Sequence, residues 1–563
     1  MAKGQISVQT ENIFPIIKKF LYSDQEIFLR ELVSNAVDAS SKIKTLASAG
    51  ENTGDISDLT INVRLDKDAK TITISDKGIG MSQEEVEKYL NQVAFSSAEE
   101  FIEKYKDQSI IGHFGLGFYS AFMVANKVEV ITKSYKDSPA VKWICDGNPE
   151  YEIDQADKSE RGTDIILHIS DDSKEYLDDA KLEGLLSKYC KFLPIPIQYG
   201  TKTESNWEGE GDAKQEIKTE VPNIINNPNP LWRKKPNEIS DEEYKDFYNE
   251  LYPYSQPPLF WIHLNIDYPF NLTGILYFPK LNNSMEIQKN KIQLYSNQVY
   301  VTDEVKDIVP EFLTLLHGVI DSPDIPLNVS RSYLQADANV KKITNYITKK
   351  VAEKLESLFK KDRQAYEERW SETGVFVKYG MVSDEKFNEK AMSFALLKND
   401  ENKYFTIEEY KEKIKTLQTD KSNRLVGIYA NNVKEQYSYV QSAKNNGYDV
   451  LLFDTIIDNH FMQHLEYKGQ NITFVRVDSD TVDNLVPKDE TKESILSEAD
   501  QTKVKDLFTA ALGSTKGGHV ELKALSPDDQ PVMITKPEFM RRMKEMQMMQ
   551  GGSMDNDLFG DMH

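Results

Sequence analysis

The sequence predicts a multidomain α+β protein, on the basis of three observations. The chain has 563 residues, and a usual domain size of about 150 residues points to three or four domains. Near the N-terminus, an apolar stripe at helical spacing is followed by short alternating runs, so helices and consecutive strands come from separate segments. Further along, apolar runs alternate with a helical pattern, which predicts a smaller α/β layer.

The N-terminal segment combines one long helix with several strands. Residues 24–44 carry apolar side chains at helical spacing. Two alternating runs flank the polar residues 66–70, which predict a hairpin turn. We therefore expect an α/β sandwich with helices on one face of a mixed sheet. The predicted strands are 59–65, 71–75, 128–132 and 164–169.

Changes in composition along the chain predict its domain organisation. We expect an N-terminal domain, an acidic and Asn/Pro-rich linker, an α/β middle domain, and a partial C-terminal domain that ends in a methionine-rich helix and a polar tail. The predicted bounds are 1–200, 201–230, 231–487 and 488–563, with the methionine-rich helix at 537–550. Strands are expected in the middle domain at 258–267, 272–279, 424–429, 448–453 and 472–477, and a helix at 433–443.

Charge and composition narrow the possible functions. The net charge of -23 disfavours binding to nucleic acid or to anionic membranes. The absence of an 18-residue apolar run and of a signal-peptide pattern predicts a cytoplasmic protein. Cys145 and Cys190 are too few for a disulfide framework and are expected to be buried thiols. His460 and His464 have a spacing that could bind zinc, although packing or surface histidines are the favoured interpretation.

The first candidate site motif lies on the predicted N-terminal helix. Glu31, Asn35 and Asp38 are spaced so that they share one face of that helix. A carboxamide oxygen can ligate magnesium, and a carboxylate can orient or deprotonate a water molecule. A polar helix face that is merely solvated is the alternative.

Three further motifs are rich in glycine. Asp76-Lys-Gly78-Ile-Gly80-Met81 directly follows a predicted strand, and glycines there allow a close backbone approach to a ligand, although a plain strand-to-loop turn is the alternative. Three glycines precede an apolar run at 118–124, which predicts a helix start able to hold phosphates. Their order differs from the dinucleotide and Walker patterns. The three glycines are Gly112, Gly115 and Gly117, and the last motif is Arg161-Gly162-Thr163.

Taken together and in this order, these motifs resemble those of the GHKL ATPases, which share the Bergerat fold. The resemblance implies that ATP and Mg²⁺ are the cofactors, with Glu31 as the general base and Asn35 as the magnesium ligand. It implies that Asp76 binds the adenine amino group, that Met81 and Thr163 line the base pocket, and that residues 91–112 form a lid. The cofactor-binding residues implied by the resemblance are Asn35, Asp38, Lys42, Asp76, Gly78, Gly80, Met81, Gly112, Gly115, Gly117, Phe118 and Thr163.

The later part of the chain indicates one branch of that superfamily. Pro326-Leu-Asn-Val-Ser-Arg331 resembles the middle-domain catalytic loop of the ninety-kilodalton heat-shock chaperones, and the short linker is similar to that of their bacterial, HtpG-type members. The resemblance implies an ATP-driven homodimeric chaperone for unfolded client proteins. Arg331 would then act as a second catalytic residue, as an arginine finger does, with Gln335 helping to hold its loop. Motifs at 230–232, 277–280, 300–303 and 308–311 support the same resemblance.

Three departures from the family pattern leave alternatives open. Tyr89 and Phe95 stand where the family more often has an Asn and a Lys near the phosphates. The chain also stops before the helices by which the family dimerises, so an ATP-independent holding module is the alternative function.

A DNA-processing GHKL ATPase is disfavoured by the charge and by the Arg331 loop. Phe539, Met543 and Met546 form an apolar stripe for either core packing or client contact.

Overall fold

Two compact units make up the chain. The computed structural model describes residues 25–51, 53–91, 101–102, 104–105, 110–112, 117–148, 150–208, 215–280, 291–305, 309–325, 338–488, 496–512, 519–523 and 531–538. The first unit comprises Met1–Pro279, Lys289–Val309 and Leu316–Asn345, and the second comprises Lys280–Gln288, Pro310–Leu315 and Tyr346–His563.

An eight-stranded mixed sheet dominates the first unit. Its strand order is β5-β4-β3-β6-β2-β1-β7-β8, and only the β1–β7 pairing is parallel among the pairings described. The strands are β1 Ile61–Asp66, β2 Thr71–Asp76, β3 Ala125–Lys133, β4 Val141–Cys145, β5 Tyr151–Gln155, β6 Gly162–Ile169, β7 Ile197–Glu208 and β8 Gln215–Ile224. The helices are α1 Ile27–Ser48, α2 Gln83–Tyr89 and α3 Asp179–Cys190, with 3-10 turns at Gly117–Met123 and Asp171–Leu177.

One face of this sheet is apolar and covered by helices, as predicted. The apolar stripe of α1, including Phe28, Leu32 and Val37, is fully buried in the same cluster as Ile72 of β2. The opposite face is polar, and there Glu129 of β3 is bonded to side chains of neighbouring strands. Because successive strand residues point to opposite faces, this alternation sets which side chains meet the helices. The α+β sandwich with a mixed sheet is confirmed.

Much of the segment predicted as a linker, 201–230, forms strands. Residues 201–208 belong to β7 and 215–224 to β8, and these two strands pair as a long hairpin. Residues 201–205 are exposed, so the hairpin has little of the apolar alternation that reveals a strand in sequence. Its base is held by Asn226, whose carboxamide accepts from Ile197 N at 2.7 Å and donates to Leu193 O at 2.8 Å. The domain boundaries themselves stay a prediction.

The first unit also contains a five-stranded sheet in the order β12-β11-β13-β10-β9. Aromatic side chains around Trp232 pack against it and include Phe192, which follows α3. Asp321 of β13 is buried beneath them and accepts hydrogen bonds from Trp232 Nε1 and from Gln298 N, both at 3.1 Å. The elements are α4 Asp241–Leu251, β9 Phe260–Ile266, β10 Leu272–Phe278, β11 Ile292–Ser296, β12 Val299–Thr302 and β13 His317–Asp321, with 3-10 turns at Leu231–Arg233 and Pro236–Glu238. The 3-10 turn Glu311–Leu315 belongs to the second unit.

Helices and two small sheets form the second unit. The three-stranded parallel sheet β17-β16-β18 confirms the α/β layer predicted over residues 424–477. A buried ion pair between Lys378 Nζ and Asp458 Oδ1, 2.5 Å long, joins α7 to α11. The elements are α5 Ala338–Lys361, which begins in the first unit, α6 Arg363–Glu368, α7 Trp370–Ser383, α8 Glu385–Ala391, β14 Leu396–Lys398, β15 Tyr404–Thr406, α9 Ile407–Ile414, β16 Leu425–Ala430, α10 Tyr437–Asn445, β17 Val450–Leu452, α11 Asp458–Tyr467, β18 Ile472–Arg476, α12 Val482–Leu485 and α13 Glu498–Leu512.

The structure also describes the cysteines and histidines that the sequence singled out as minor candidates. Cys145 and Cys190 are buried free thiols, as predicted. His464 Nε2 lies 2.9 Å from Asn388 Oδ1, and His460 is exposed. Within the described ranges, no group of three or more acidic, Cys or His side chains is arranged to hold a metal, and no helix is long and apolar enough to span a membrane. Of the methionine-rich segment, all residues after 538 lie outside the described part of the chain.

Two glycines of the first unit give opposite predictions. Gly318 has φ +129°, and a Cβ there would lie 2.0 Å from Ile275 O of the neighbouring strand, whereas a Cβ on Gly184 of α3 meets nothing within 4 Å. Gly318→Ala should therefore destabilise the first unit by about 2 kcal/mol or more. Gly184→Ala should stabilise it by about 0.5–1 kcal/mol, since helical alanine loses less entropy. Thermal denaturation of both variants checks this, and equal midpoints would contradict it.

Candidate nucleotide site

Helix α1 carries one polar face toward the glycine-rich motifs. Glu31, Asn35, Asp38 and Lys42 follow one another at spacings of four, three and four residues, so they lie along one side of the helix. Glu31, Asp38 and Lys42 are buried, and Asn35 is half-buried. Charged side chains are seldom buried unless they are paired or have a function. This face is therefore a candidate site and not a solvated helix surface.

Glu31 is oriented by its neighbour in sequence. Arg30 donates from Nε and Nη2 to Glu31 Oε1 at 3.0 and 2.8 Å, and both side chains are buried. The other carboxylate oxygen, Oε2, faces Gly117, where a Cβ would lie only 2.9 Å from it. The arginine thus fixes one oxygen and leaves the other directed at the glycine-rich motif.

Asp38 joins α1 to the beginning of that motif. Its two oxygens accept hydrogen bonds from the backbone N–H groups of Ile111 and Gly112, both at 2.7 Å. A Cβ on Gly112 would lie 3.1 Å from Asp38 Oδ2 and 3.7 Å from Asn35 Oδ1. On the other side, a Cβ on Gly117 would lie 3.8 Å from Asn35 Nδ2. The Asn35 carboxamide therefore lies close to both glycines.

A second group of polar side chains lies at the ends of three adjacent strands. Asp76 of β2 is the cross-strand partner of Thr163 in β6, and Thr163 is the partner of Thr132 in β3. All three point to the helix-covered face, because they continue the alternation of Ile74, Ile165 and Val130. The two threonine Oγ1 atoms are 2.9 Å apart, and Thr132 Oγ1 accepts from Met81 N at 2.9 Å.

The Asp76 carboxylate is buried with few compensating donors. Gly78 N donates to its Oδ1 at 2.7 Å. Burial raises the pKa of Asp76 to about 7, and the Gly78 hydrogen bond opposes this rise. A carboxylate held in such a site at the expense of stability indicates a binding function, since a further donor could stabilise its ionised form.

Gly78 and Gly80 allow the loop after β2 to approach its surroundings closely. A Cβ on Gly78 would lie 2.4 Å from the Ala39 carbonyl carbon of α1, and Ile79 N donates to Ala39 O at 3.1 Å. Gly80 has φ +60°, and a Cβ there would lie 1.8 Å from Lys133 O. The loop that follows Asp76 therefore packs against α1 one residue beyond Asp38, so the three motifs meet at one place.

The remaining predicted residues have varied positions. Lys42 Nζ lies 5.6 Å from the Phe101 ring centroid, and burial lowers the pKa of Lys42 against the opposing charges of Asp38 and Glu85. The Phe118 side chain is in the core, 5.7 Å from the Trp143 ring. Tyr89 is half-buried, with Lys88 Nζ 5.2 Å from its ring. Gly115, Phe95, Arg331, Gln335 and most of 91–112 lie outside the described residues.

Sequence reasoning missed Arg30 and Thr132, and it placed Arg161 in a motif without giving that side chain a role. All three hold site residues, but each signal was weak: an arginine inside an apolar stripe, a threonine continuing a β alternation, and an arginine beside a glycine. The helix start predicted at 118–124 is present as a 3-10 helix, Gly117–Met123, and its role in holding phosphates stays a prediction.

Comparisons with known proteins agree with this geometry. Residues 22–164 match the family model described as histidine kinase-, DNA gyrase B- and HSP90-like ATPase, and residues 201–560 match that of Hsp90 protein. The chain belongs to the Hsp90 family. This membership decides against the DNA-processing branch, and it confirms the ATPase-type N-terminal fold.

Similar Hsp90-family proteins cover nearly all of the chain. It is 59% identical to the chaperone protein HtpG of Bacteroides thetaiotaomicron over 98% of this chain and 81% of that protein. It is 56% identical to the HtpG of Porphyromonas gingivalis over 98% of this chain and 80% of that protein. Identity to the HtpG of Sulfurimonas denitrificans is 34%, over 98% and 89% of the two chains.

The raised pKa of Asp76 predicts a pH-dependent stability. Between its usual value of 3.8 and about 7, the folded state binds more protons at this group than the unfolded state does. Its contribution to stability therefore falls as the pH rises through this window and is lost above it. Asp76→Asn should raise the thermal midpoint of the nucleotide-free protein more at about pH 8 than at about pH 5.

Thermal denaturation at both pH values checks this expectation. Asp66→Asn is the matched control, because Asp66 is an exposed residue of the β1–β2 turn that caps Ala69 N. The control should give the same small change at both pH values. An Asp76→Asn effect that does not depend on pH would refute the prediction.

Proposed function

We propose that this chain is an ATP-dependent molecular chaperone that binds unfolded or partly folded client proteins and remodels them through ATP-driven closure. The similar proteins named above are chaperone proteins. The nucleotide-binding part of this proposal rests on one observation. The contact between Gly78 and Ala39 brings Asp76, at the end of β2, close to the polar face of α1.

The base would be recognised at the strand ends. The buried Asp76 carboxylate can accept a hydrogen bond from the adenine amino group, whose approach would favour the ionised form. Thr163 and Met81 would line this part of the pocket. Thr132 orders both, because it contacts the Thr163 hydroxyl and the Met81 N–H. Gly78 and Gly80 would let the backbone approach the base.

Phosphates would lie toward the other end of α1. Gly112, Gly115, Gly117 and the backbone of Phe118 would cover them, with Asp38 holding the Gly112 end of this segment. The Asn35 carboxamide, placed beside Gly112 and Gly117, fits the role of single protein ligand to Mg²⁺. Magnesium bound there would neutralise charge on the phosphates. Lys42, about one turn beyond Asp38 on the same face of α1, would also line the site.

Hydrolysis would depend on Glu31 and Arg331. Glu31 would orient and deprotonate the attacking water through Oε2, because Arg30 occupies Oε1. Arg331 would stabilise charge on the transferring phosphoryl group, as the family resemblance implies. A water-activating carboxylate and a phosphate-binding arginine would then come from distant parts of the chain. As the family resemblance implies, turnover would be coupled to a rearrangement that brings Arg331 to the nucleotide.

The chaperone cycle would couple this rearrangement to clients. Family members bind client proteins, and we propose a homodimer as the working form. Apolar side chains of α13, including Leu507 and Phe508, are exposed within the described part of the C-terminal region. The proposal of a client-contacting helix at 537–550 stands beside the alternative of core packing.

Two substitutions should separate binding from hydrolysis. Asp76→Asn should weaken ATP binding until calorimetry no longer detects it, because the amide presents an N–H where an acceptor is needed. Glu31→Gln should bind ATP nearly normally but lower kcat by about a hundredfold or more, since the amide cannot accept a proton. Binding by the Asp76 variant would remove the base-recognition role. Normal turnover by the Glu31 variant would remove the general base.

ATP should also change the interaction with a client. Light scattering of a thermally unfolding enzyme measures how well the chain suppresses aggregation, with and without ATP. The wild type should suppress aggregation and respond to ATP, whereas Glu31→Gln should suppress it without release during turnover. An identical response of the two proteins would refute coupling of hydrolysis to client release, and an absence of suppression would refute the chaperone proposal.

A further inference from the structure

Arg161 spans two loops beside the proposed base site. It directly precedes Gly162 and Thr163 at the start of β6, and its side chain is half-buried. Nε donates to the carbonyls of Lys77 and Gly78, both at 3.0 Å. Nη2 donates to Asp55 O at 2.9 Å, and Nη1 donates to Thr53 O.

These four carbonyls belong to two separate segments. Lys77 and Gly78 directly follow Asp76, whereas Thr53 and Asp55 lie in the loop between α1 and β1. A guanidinium has N–H groups that point in several fixed directions, so one arginine can serve acceptors on two sides. A lysine ammonium concentrates its donors on one atom and does not reproduce that fork.

The loop whose carbonyl groups Arg161 bonds also fixes the orientation of the Asp76 carboxylate. Gly78 donates its N–H to Asp76 Oδ1 at 2.7 Å and accepts from Arg161 through its own carbonyl. At the next residue, a Cβ on Gly162 would lie 2.0 Å from Asp76 O, so the two strand ends already touch. Movement of Arg161 would therefore change where the Asp76 carboxylate points.

We infer that Arg161 is a positioning residue for adenine recognition, which holds the 77–78 backbone so that Asp76 faces the base. It touches no proposed ligand atom itself. The inference rests on the proposed role of Asp76. Loss of Arg161 should affect recognition of the base and not hydrolysis. The hydrolytic residue Glu31 and its partner Arg30 are on α1, and among the described contacts neither bonds Arg161.

The test compares affinity with turnover in the full chain. Arg161→Ala should raise the calorimetric Kd for ATP and for ADP by about tenfold, equivalent to about 1.4 kcal/mol. At saturating ATP its kcat should stay within about twofold of the wild type, since the loss concerns binding of the base. Arg161→Lys should show a similar loss, because the charge remains and the fork does not.

Arg64→Ala is the matched control. Arg64 is an exposed arginine of β1 whose Nη2 donates to Ser75 Oγ at 3.3 Å, on the polar face of the same sheet. It should leave both Kd and kcat unchanged. Circular dichroism confirms folding of each variant, and Arg161→Lys carries the test if the alanine variant does not fold.

Two outcomes would overturn the inference. Wild-type Kd in a folded Arg161 variant would show that Asp76 does not need this arginine. A fall in kcat as large as the loss of affinity would show general damage to the site. The Asp76→Asn measurement separates the two levels: ATP binding by that variant removes the base role and the inference together. If Asp76→Asn loses ATP binding while Arg161→Ala binds ATP normally, the base role of Asp76 stands and only the inference about Arg161 is removed.

Discussion

Close backbone approach to helix α1 is the constraint on which the site depends. Ile79 N donates to Ala39 O at 3.1 Å, and Gly78 approaches the same carbonyl so closely that only glycine fits. Glycine at 117 likewise leaves room for the Glu31 carboxylate. The helix brings three motifs that are far apart in sequence to one surface. A side chain at position 78 would separate the loop after β2 from α1, even though no side chain with chemistry would be lost.

Two buried aspartates show how surroundings divide one residue type into two roles. Both oxygens of Asp38 accept backbone N–H groups at 2.7 Å, so its charge is compensated within the protein. Asp76 has the Gly78 N–H and a smaller contribution from the Thr163 backbone, and burial still raises its pKa to about 7. A fully satisfied carboxylate holds structure, whereas an incompletely satisfied one is available to a ligand. Burial alone would not have separated these roles.

The sequence was informative where periodicity and chemistry coincide. The stripe of α1, the β1–β2 hairpin and the α/β layer of the second unit carry apolar repeats, and the structure has them within a few residues of their predicted bounds. The β7–β8 hairpin was missed because its exposed residues 201–205 lack that repeat. Thr132 was missed because its importance comes from cross-strand register with Thr163, which depends on pairing between distant segments. Arg161 bonds carbonyl groups, and backbone acceptors leave no trace in a sequence.

Strand pairing also limits where motion between the two matched regions can occur. Strand β1 pairs with β2, which ends at Asp76, and with β7, which leads into the segment matched by the Hsp90 family model. Hydrogen-bonded ladders resist relative displacement, since each shift breaks several bonds at once. Conformational change near the site must therefore arise in backbone outside the ladders, such as the loops after α1 and after β2. Arg161 bonds both of these loops, and an ion pair between Lys77 and Asp58 also joins them, so two side-chain links connect the segments that are free to move.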